Sequence, residues 1–273
     1  MEKFGLIGTP IRHSLSPALF TAGYKGEYTY DLIEEESFTA SFSRFIRDYK
    51  AINVTAPYKE EAFEAADIHS EECKIIKAAN ILIKTDEGIK AHNSDAEGVM
   101  ACLREIPFKK GGLINTVFIV GCGGAAKAAA YAACKMGFDV IITNRTHDKA
   151  LDMAKEFTEQ HGFNLLAVDF SRFAFWFKKS RIIIYTLPSP IPAIEELGEI
   201  HIKGGHVRTR EKFIIEANYK NPAFSEDLLH KMKEINPKLK YISGKSWLLG
   251  QAIGGYELFT GKKPDIEAMG KVL

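Results

Sequence analysis

Short apolar runs rich in β-branched residues alternate with amphipathic stretches along nearly the whole chain, without repeats or low-complexity linkers. That alternation is the pattern of an α/β protein. In the first hundred residues it predicts strands near 3–8, 28–33, 51–55, 80–85 and 88–92, with helices near 17–25, 38–49, 57–66 and 95–105. A charged, glycine-bearing break at Pro107-Phe108-Lys109-Lys110-Gly111-Gly112 then precedes the very apolar strand Val117-Phe118-Ile119-Val120, which opens a second series of strands and helices. The boundary between two units is expected there. Two last helices are predicted near 246–260 and 265–271. The run Phe170, Phe173, Phe175, Trp176, Phe177 is expected to be the buried face of a short helix or loop, the alternative being an interface patch.

At 273 residues the chain is long enough for two domains, each with its own core. Apolar residues make up 46% and charged residues 26%, the balance of a soluble globular protein. Thirty-six basic side chains against thirty-five acidic ones leave no overall field to draw in phosphate backbones, so no nucleic-acid partner is expected. Cys73, Cys102, Cys122 and Cys134 form no C-x-x-C pair and no Cys/His ligand spacing. Neither a disulfide framework nor zinc is suggested, and a reducing cytoplasm fits. His201 and His206 lack a supporting acid pattern, so no metal is expected. No apolar stretch approaches the ~20 residues that span a bilayer, and no membrane partner is predicted.

The strongest local signal is Val120-Gly121-Cys122-Gly123-Gly124-Ala125-Ala126, a G-x-G-x-x-A run between a buried strand and an alanine-rich helix reaching roughly to Met136. Gly121 permits a tight turn, Gly123 lets a pyrophosphate approach the backbone, and Ala126 keeps the helix close to the strand, with the helix N-terminus facing the phosphates. The next strand, Asp139 to Thr143, ends at Asn144-Arg145-Thr146, where a dinucleotide fold reads the ribose. An NAD site places an acid there. This chain has Asn144, Arg145 and Thr146, with Lys149 one turn on, so a 2′-phosphate meets cations and hydroxyl donors and NADP is preferred. The alternative is a bare βα turn flanked by solvated charges.

Three further junctions lie in the first unit. In Gly8-Thr9-Pro10-Ile11-Arg12-His13-Ser14-Leu15-Ser16-Pro17, Ser16 reads as an N-cap and Pro17 as the first helical residue. Two hydroxyls, free amides and the positive helix end can hold a carboxylate, unless both serines only cap and turn. In Asn53-Val54-Thr55-Ala56-Pro57-Tyr58-Lys59, the proline suggests a helix start with Lys59 in the first turn. There the macrodipole and burial oppose its charge, which suits a proton shuttle; the other reading is a surface lysine paired with Glu60 or Glu61. In His92-Asn93-Ser94-Asp95-Ala96-Glu97-Gly98, Ser94 and Glu97 fit a capping box, and Asp95 either favours the helix N-terminus or faces Lys59 and favours its protonated form.

Taken together and in this order, these segments resemble the shikimate dehydrogenase family. The resemblance runs from Pro10 to Pro17, through Asn53 to Lys59, Ala79-Asn80, Asn93 to Gly98, Gly121 to Ala126 and Asn144 to Ala150, and resumes at Tyr219 and Gly250-Gln251-Ala252. It implies an N-terminal α/β substrate domain, a doubly wound Rossmann-type dinucleotide-binding domain and a cleft between them. It also implies that the C-terminal helices return to the first domain, giving 1–104 with 240–273 as the substrate-binding domain and 105–239 as the NADP-binding domain. By resemblance, Ser14 and Ser16 bind a substrate carboxylate, Thr55, Asn80 and Gln251 hold ring hydroxyls, Tyr219 contributes to the substrate site, and Lys59 and Asp95 form the catalytic pair. The cofactor set is Gly121, Gly123, Gly124, Ala125, Ala126, Asn144, Arg145, Thr146 and Lys149. The implied reaction is the reversible oxidation of shikimate to 3-dehydroshikimate with NADP, a step of chorismate and aromatic amino acid biosynthesis.

The chain departs from the family pattern at several points. Phe20-Thr21 replace His-Asn, Asn80-Ile81 replace Asn-Thr, Tyr185-Thr186-Leu187-Pro188 replace the Asn-Ala-Thr-Ser segment beside the nicotinamide, and Glu216 replaces an Asp. Alternatives are therefore a quinate dehydrogenase using NAD(P), or a non-catalytic nucleotide-binding relative. Either a monomer or a homodimer fits.

Overall fold

The computed structural model describes residues 2–107, 115–195, 197 and 211–273. His201, His206 and most of the break predicted at Pro107 to Gly112 lie outside the described residues. The chain forms two compact units, Met1–Gly98 with Leu248–Leu273, and Val99–Trp247.

The first unit is built on a six-stranded sheet of β1 (Lys3–Ile7), β2 (Thr29–Ile33), β3 (Ala51–Val54), β4 (Ile68–His69), β5 (Ile81–Thr85) and β6 (Gly88–His92), in the order β2-β1-β3-β5-β6-β4. β1 pairs in parallel with β2 and β3, whereas β5 runs antiparallel to both β3 and β6. Helices α1 (Ser16–Gly23), α2 (Phe38–Asp48), α3 (Lys59–Glu64), α4 (Glu71–Ile76) and α5 (Asp95–Arg104) connect the strands. Alternation along the strands sends Ile7, Ile33, Ile52 and Val54 to one core, with Phe38, Phe45 and Tyr58. Phe4 lies on the other side against Phe20 and Phe259, ring centroids 5.3 and 5.4 Å away.

The second unit is an all-parallel sheet of β7 (Thr116–Val120), β8 (Asp139–Thr143), β9 (Leu165–Val168), β10 (Ile182–Tyr185), β11 (Lys212–Glu216) and β12 (Leu239–Ile242). Their order, β12-β11-β10-β7-β8-β9, reverses between β7 and β10. β7, β10 and β11 are buried at every residue, the mark of strands covered on both faces. The helices are α6 (Gly124–Lys135), α7 (His147–His161), α8 (Phe173–Lys179), α9 (Pro192–Glu195) and α10 (Glu226–Ile235). Of the aromatic run, Phe173 and Phe177 are core residues and Phe170 and Trp176 pack against the core, while Phe175 is exposed beneath the Arg172 guanidinium.

Two long helices carry the chain from one unit to the other: α5, and α11 (Gly244–Thr260), which α12 (Ile266–Gly270) follows. The division falls inside α5 and α11 and not at 104/105 and 239/240, because a helical pattern does not change where the helix leaves one core for another. The end of the chain packs on the first unit: Asp265 N–H donates to Gly23 O at 2.8 Å, and Tyr24 Oη donates to Tyr256 O at 2.8 Å.

Lys212, the first residue of β11, is a buried lysine that closes the end of α8. Its Nζ donates to the carbonyls of Phe177 and Ser180 at 2.5 and 2.7 Å, groups that lack helical partners. Burial pushes its pKa down to about 7, so at pH 8 the amine is largely neutral and still offers two N–H donors. Lys212→Met keeps the apolar stem and strands those carbonyls in the interior. The expected loss is about 1–3 kcal/mol, read from the urea midpoint at pH 8; an unchanged midpoint refutes this role.

Candidate active site

In the first unit the site grows from the carboxyl ends of β1 and β3. Thr55 follows β3 and ties back through its N–H to Ile7 O at 2.8 Å. A Cβ on Gly8 would lie 2.4 Å from Thr55 Cγ2 and 2.7 Å from Ile11 Cγ2, so only glycine lets the two loops meet. The peptides before Pro10 and Pro57 are cis. Pro57 does not start α3, which begins two residues later; Lys59 is its first residue. Ala79 N–H donates to Lys59 O at 2.8 Å, which fixes the lysine backbone beside Asn80.

Lys59 Nζ forms an ion pair with Asp95 Oδ2. The Asp95 side chain is 6% exposed and that of Lys59 23%, so the ammonium is the more open member of the pair. Asn80 Nδ2 donates to Asp95 Oδ1 at 3.2 Å and to Ser94 Oγ at 3.1 Å, and Ser94 N–H donates to Asn80 Oδ1 at 2.8 Å. Behind them Asn93 accepts from Asp95 N–H at 3.1 Å and donates to Ala78 O at 2.7 Å. Glu72 supports the same segment, next to His92 Nδ1 and Asn93 N–H, both at 3.4 Å. Burial pushes the Glu72 carboxyl up, but hydrogen bonds from His92 and Ser70 outweigh it and hold the group at about 2.

The serine segment differs from its predicted cap. α1 begins at Ser16 itself, with Pro17 second and no side-chain cap from the preceding Leu15. Ser14 Oγ takes the capping role, accepting from Ser16 N–H at 3.2 Å and donating to Ser16 Oγ at 3.1 Å. The physical reason is a serine turn that closes on the first helical amide and so shifts the start by one residue. Gln251 is half-buried on α11, one turn before Gly255. A Cβ on Gly255 would meet Ile81 Cδ1 at 2.9 Å and Ser94 Oγ at 3.2 Å, so this glycine lets α11 lie against the Asn80 and Asp95 group. The first unit thus brings Lys59, Asp95 and Asn80 into direct contact, joins Ser14 to Ser16, and also contains Thr55 and Gln251.

In the second unit Gly121 follows β7 with φ +118°, a conformation that favours glycine, and its N–H donates to Thr143 O at 2.8 Å. Thr186, after β10, packs on it and donates its hydroxyl to Val120 O at 2.8 Å. Gly123 is exposed with open space where a Cβ would be, and α6 starts at Gly124 and Ala125 with Ala126 fully buried. Free amides at that end, beside an unobstructed backbone, fit a pyrophosphate. After β8, Asn144 donates to Thr146 O at 3.0 Å, and Arg145, Thr146 and Lys149 are exposed. Burial pushes the Cys122 thiol up to about 11, and the Lys149 charge acts to lower it, which puts that cation near the glycine turn. The donor set fits an adenosine phosphate.

Tyr219 belongs to this unit, half-buried in the loop after β11. Asn218 closes the loop, donating to Pro188 O at 2.7 Å and Asn221 O at 2.9 Å, so Tyr219 and the Thr186 to Pro188 segment share one cross-linked surface. Buried Glu216, at the end of β11, accepts from Tyr241 Oη at 2.7 Å and from Ala223 N–H; burial raises its pKa against those bonds. Asn218 carries no signal in the sequence, and Thr186 is marked there only as part of the Tyr185 to Pro188 departure from the family pattern.

A parallel sheet whose order reverses beside a glycine turn, with a helix N-terminus at that crevice, defines a dinucleotide-binding protein of the Rossmann class. Among the described residues no group of three or more His, Cys, Asp or Glu is arranged for a metal, and no helix is long and apolar enough to cross a membrane. The profile of the shikimate dehydrogenase substrate binding domain matches residues 6–82, and that of shikimate/quinate 5-dehydrogenase matches residues 109–212. The chain belongs to the shikimate dehydrogenase family. It is 31% identical to the shikimate dehydrogenase (NADP(+)) of Bartonella tribocorum, covering 96% of this chain and 89% of the relative. The shikimate dehydrogenase (NADP(+)) of Carboxydothermus hydrogenoformans is 29% identical over 98% of this chain and 95% of its own length. Among solved structures, the shikimate 5-dehydrogenase of Thermus thermophilus in complex with NADP(H) and shikimate superposes with a TM-score of 0.80 at 26% identity, covering 100% of this chain and 98% of that one.

Proposed function

We propose that this chain is an NADP-dependent shikimate dehydrogenase that interconverts shikimate and 3-dehydroshikimate. The observation that carries the reading is the Lys59–Asp95 ion pair, held by Asn80 in the unit that also contains Ser14, Ser16, Thr55 and Gln251. Ser14 and Ser16 take the substrate carboxylate, Thr55, Asn80 and Gln251 the ring hydroxyls, and Tyr219 joins the substrate site. Gly121, Gly123, Gly124, Ala125 and Ala126 hold the pyrophosphate, while Asn144, Arg145, Thr146 and Lys149 hold the 2′-phosphate. Bound NADP supplies the redox chemistry. In oxidation the carbinol carbon gives up its hydrogen with the bonding pair while the hydroxyl proton passes to Lys59 Nζ in its neutral amine form, giving the ammonium; in reduction the Lys59 ammonium returns that proton to the carbonyl oxygen. Asp95 aims the ammonium at that oxygen. The protein's partners on this reading are small molecules, in the cytoplasm, with the chain acting as a monomer or homodimer.

Initial rates with shikimate or quinate, each with NADP or NAD, test the reading. Turnover is expected to be fastest with shikimate and NADP; faster turnover of quinate, or none of either acid, refutes it. Arg145→Ala combined with Lys149→Ala is expected to lower kcat/KM for NADP by roughly 10–100-fold, because two charge-assisted contacts are lost, and to leave that for NAD within about twofold. Equal losses with both cofactors would remove the 2′-phosphate from these residues.

A further inference from the structure

Tyr30 stands at the centre of a hydrogen-bonded string that the reaction as described does not use. It lies on β2, two strands from Asn53 on β3, with β1 between them. Tyr30 pairs with Phe4 and Asn53 with Leu6, so both side chains emerge on the same face of the sheet. Two strand spacings are about 10 Å, a gap that the tyrosine and asparagine side chains close together. Tyr30 Oη donates to Asn53 Oδ1 at 2.7 Å. The Ser16 and Tyr256 side chains lie within its hydrogen-bonding reach. Tyr256 Oη, on α11, stands beside both and donates to Ser16 O at 3.1 Å.

Each neighbour continues the string. Ser14 Oγ donates to Ser16 Oγ at 3.1 Å, and at the other end Asn53 Nδ2 donates to Asn80 O at 3.3 Å. Asn80 in turn donates to Asp95 Oδ1, and Asp95 holds Lys59. From Ser14 to Lys59 the links are hydrogen bonds and an ion pair, joined by the close approach of Ser16 to Tyr30, and all of these residues lie in one compact unit. We infer that Tyr30 is a positioning residue, whose hydroxyl ties the serines that take the substrate carboxylate to the Asn80, Asp95 and Lys59 group that meets the ring hydroxyls, so that the pocket recognises acid and alcohol at one fixed separation. The inference rests on the proposed shikimate dehydrogenase activity.

Tyr30 suits the task physically. Burial drives its pKa well above the ordinary value, so the group remains a donor. The single phenolic proton goes to Asn53 Oδ1, which sets that amide with its nitrogen towards Asn80 and prevents it from turning over. Without the hydroxyl, Asn53 Oδ1 loses a partner and the Ser16 hydroxyl a close neighbour in a largely buried place, and both ends of the pocket are free to reorient.

The test is Tyr30→Phe, which removes one oxygen and keeps the ring against Phe20 and Tyr256. The KM for shikimate is expected to rise about tenfold, the equivalent of one buried hydrogen bond, with kcat changed less than about threefold and the Kd for NADPH unchanged. A purely structural role would lower Tm without this selective rise in KM. Asn53→Ala is expected to raise KM in the same selective way, and the double variant is expected to be no worse than the worse single one, because both changes break the same string. An unchanged KM in Tyr30→Phe, a fall in kcat equal to the rise in KM, or multiplicative effects in the double variant overturns the inference. If Tyr30→Phe does not fold, Asn53→Ala alone decides: a selective rise in KM supports the link and an unchanged KM refutes it. Wild-type protein that neither binds nor oxidises shikimate overturns the parent reading and this inference with it, whereas an active wild type with an indifferent Tyr30→Phe overturns this inference alone.

Discussion

Lys59→Ala is expected to lower kcat for shikimate oxidation by roughly 10²–10⁴-fold, the range over which a positioned proton acceptor acts, while the Kd for NADP stays within about twofold. Lys59 Nζ is the more exposed member of its pair with Asp95 and projects from the first residue of α3. The glycines proposed to hold the cofactor lie in the other unit, so the affinity for NADP has no reason to change. The same substitution leaves Asp95, 4% exposed, with Asn80 as its side-chain donor and without its cation. Breaking a buried pair in this way costs about 3–5 kcal/mol at the deep limit, less here because Lys59 is partly open. Tm and kcat must therefore be measured together. Lys59→Arg separates the two effects: it restores charge beside Asp95 and hence Tm, but a guanidinium does not release its proton in this range and kcat stays low. Recovery of kcat in Lys59→Arg, or an undiminished kcat in Lys59→Ala, would remove Lys59 from the proton path.

The first two strands of the second unit were readable from pattern because they are continuous apolar runs, whereas β9 to β12 were not placed individually. Thr116–Val120 and Asp139–Thr143 fall where the sequence places them, and the glycine turn between β7 and α6 follows from chemistry that admits few substitutes. In the first unit five of the six strands and four of the five helices lie where the pattern places them, and only the shortest elements were missed. β4 has two residues and α4 six, too short to show a period, and α4 ends at Lys77 in the left-handed region (φ 52°), where the usual glycine signal is missing. The antiparallel course of β5 was also hidden, because alternation within a strand says nothing of its direction.

The site divides along the same line. Lys59, Asp95, Ser14 and Ser16 sit in short segments whose turn and cap chemistry marks them, although the cap proved to be Ser14 acting on Ser16, whereas Asn80 was marked only by the family resemblance. Tyr30, Glu72 and Asn218 were not legible, and Asn93 and Thr186 were marked only as members of their segments. Each acts by a hydrogen bond to a residue brought near by strand order or a loop crossing, as Tyr30 reaches Asn53 over β1 and Asn218 reaches Pro188 from 30 residues away. Periodicity and motif spacing report local geometry, and such partners are set by topology.

Gly121→Ala tests the proposed cofactor turn and is expected to damage both stability and NADP binding. Two independent costs meet at this position. The backbone lies at φ +118°, which an L side chain rarely adopts, and the new Cβ would stand 2.4 Å from Thr186 Oγ1 and 3.2 Å from Leu187 Cδ2. Thr186 cannot retreat without stretching its hydrogen bond to Val120 O, and Val120 pairs with Tyr185 across the switch point of the sheet. Stability is expected to fall by about 2–4 kcal/mol, the sum of backbone strain and a disturbed buried hydrogen bond. The Kd for NADP is expected to rise on the order of 100-fold, because the amides at the start of α6 move with the turn. Gly137→Ala is the control: its φ of +81° is also left-handed, but nothing lies within 4 Å of the added Cβ. That variant should lose about 1 kcal/mol of stability and bind NADP normally. Adding Thr186→Ala to Gly121→Ala relieves the contact but not the backbone strain, so part of the stability should return. Normal NADP binding by folded Gly121→Ala protein would mean that the pyrophosphate does not lie on this turn, and an equal loss of affinity in Gly137→Ala would mean that the effect is not local to it.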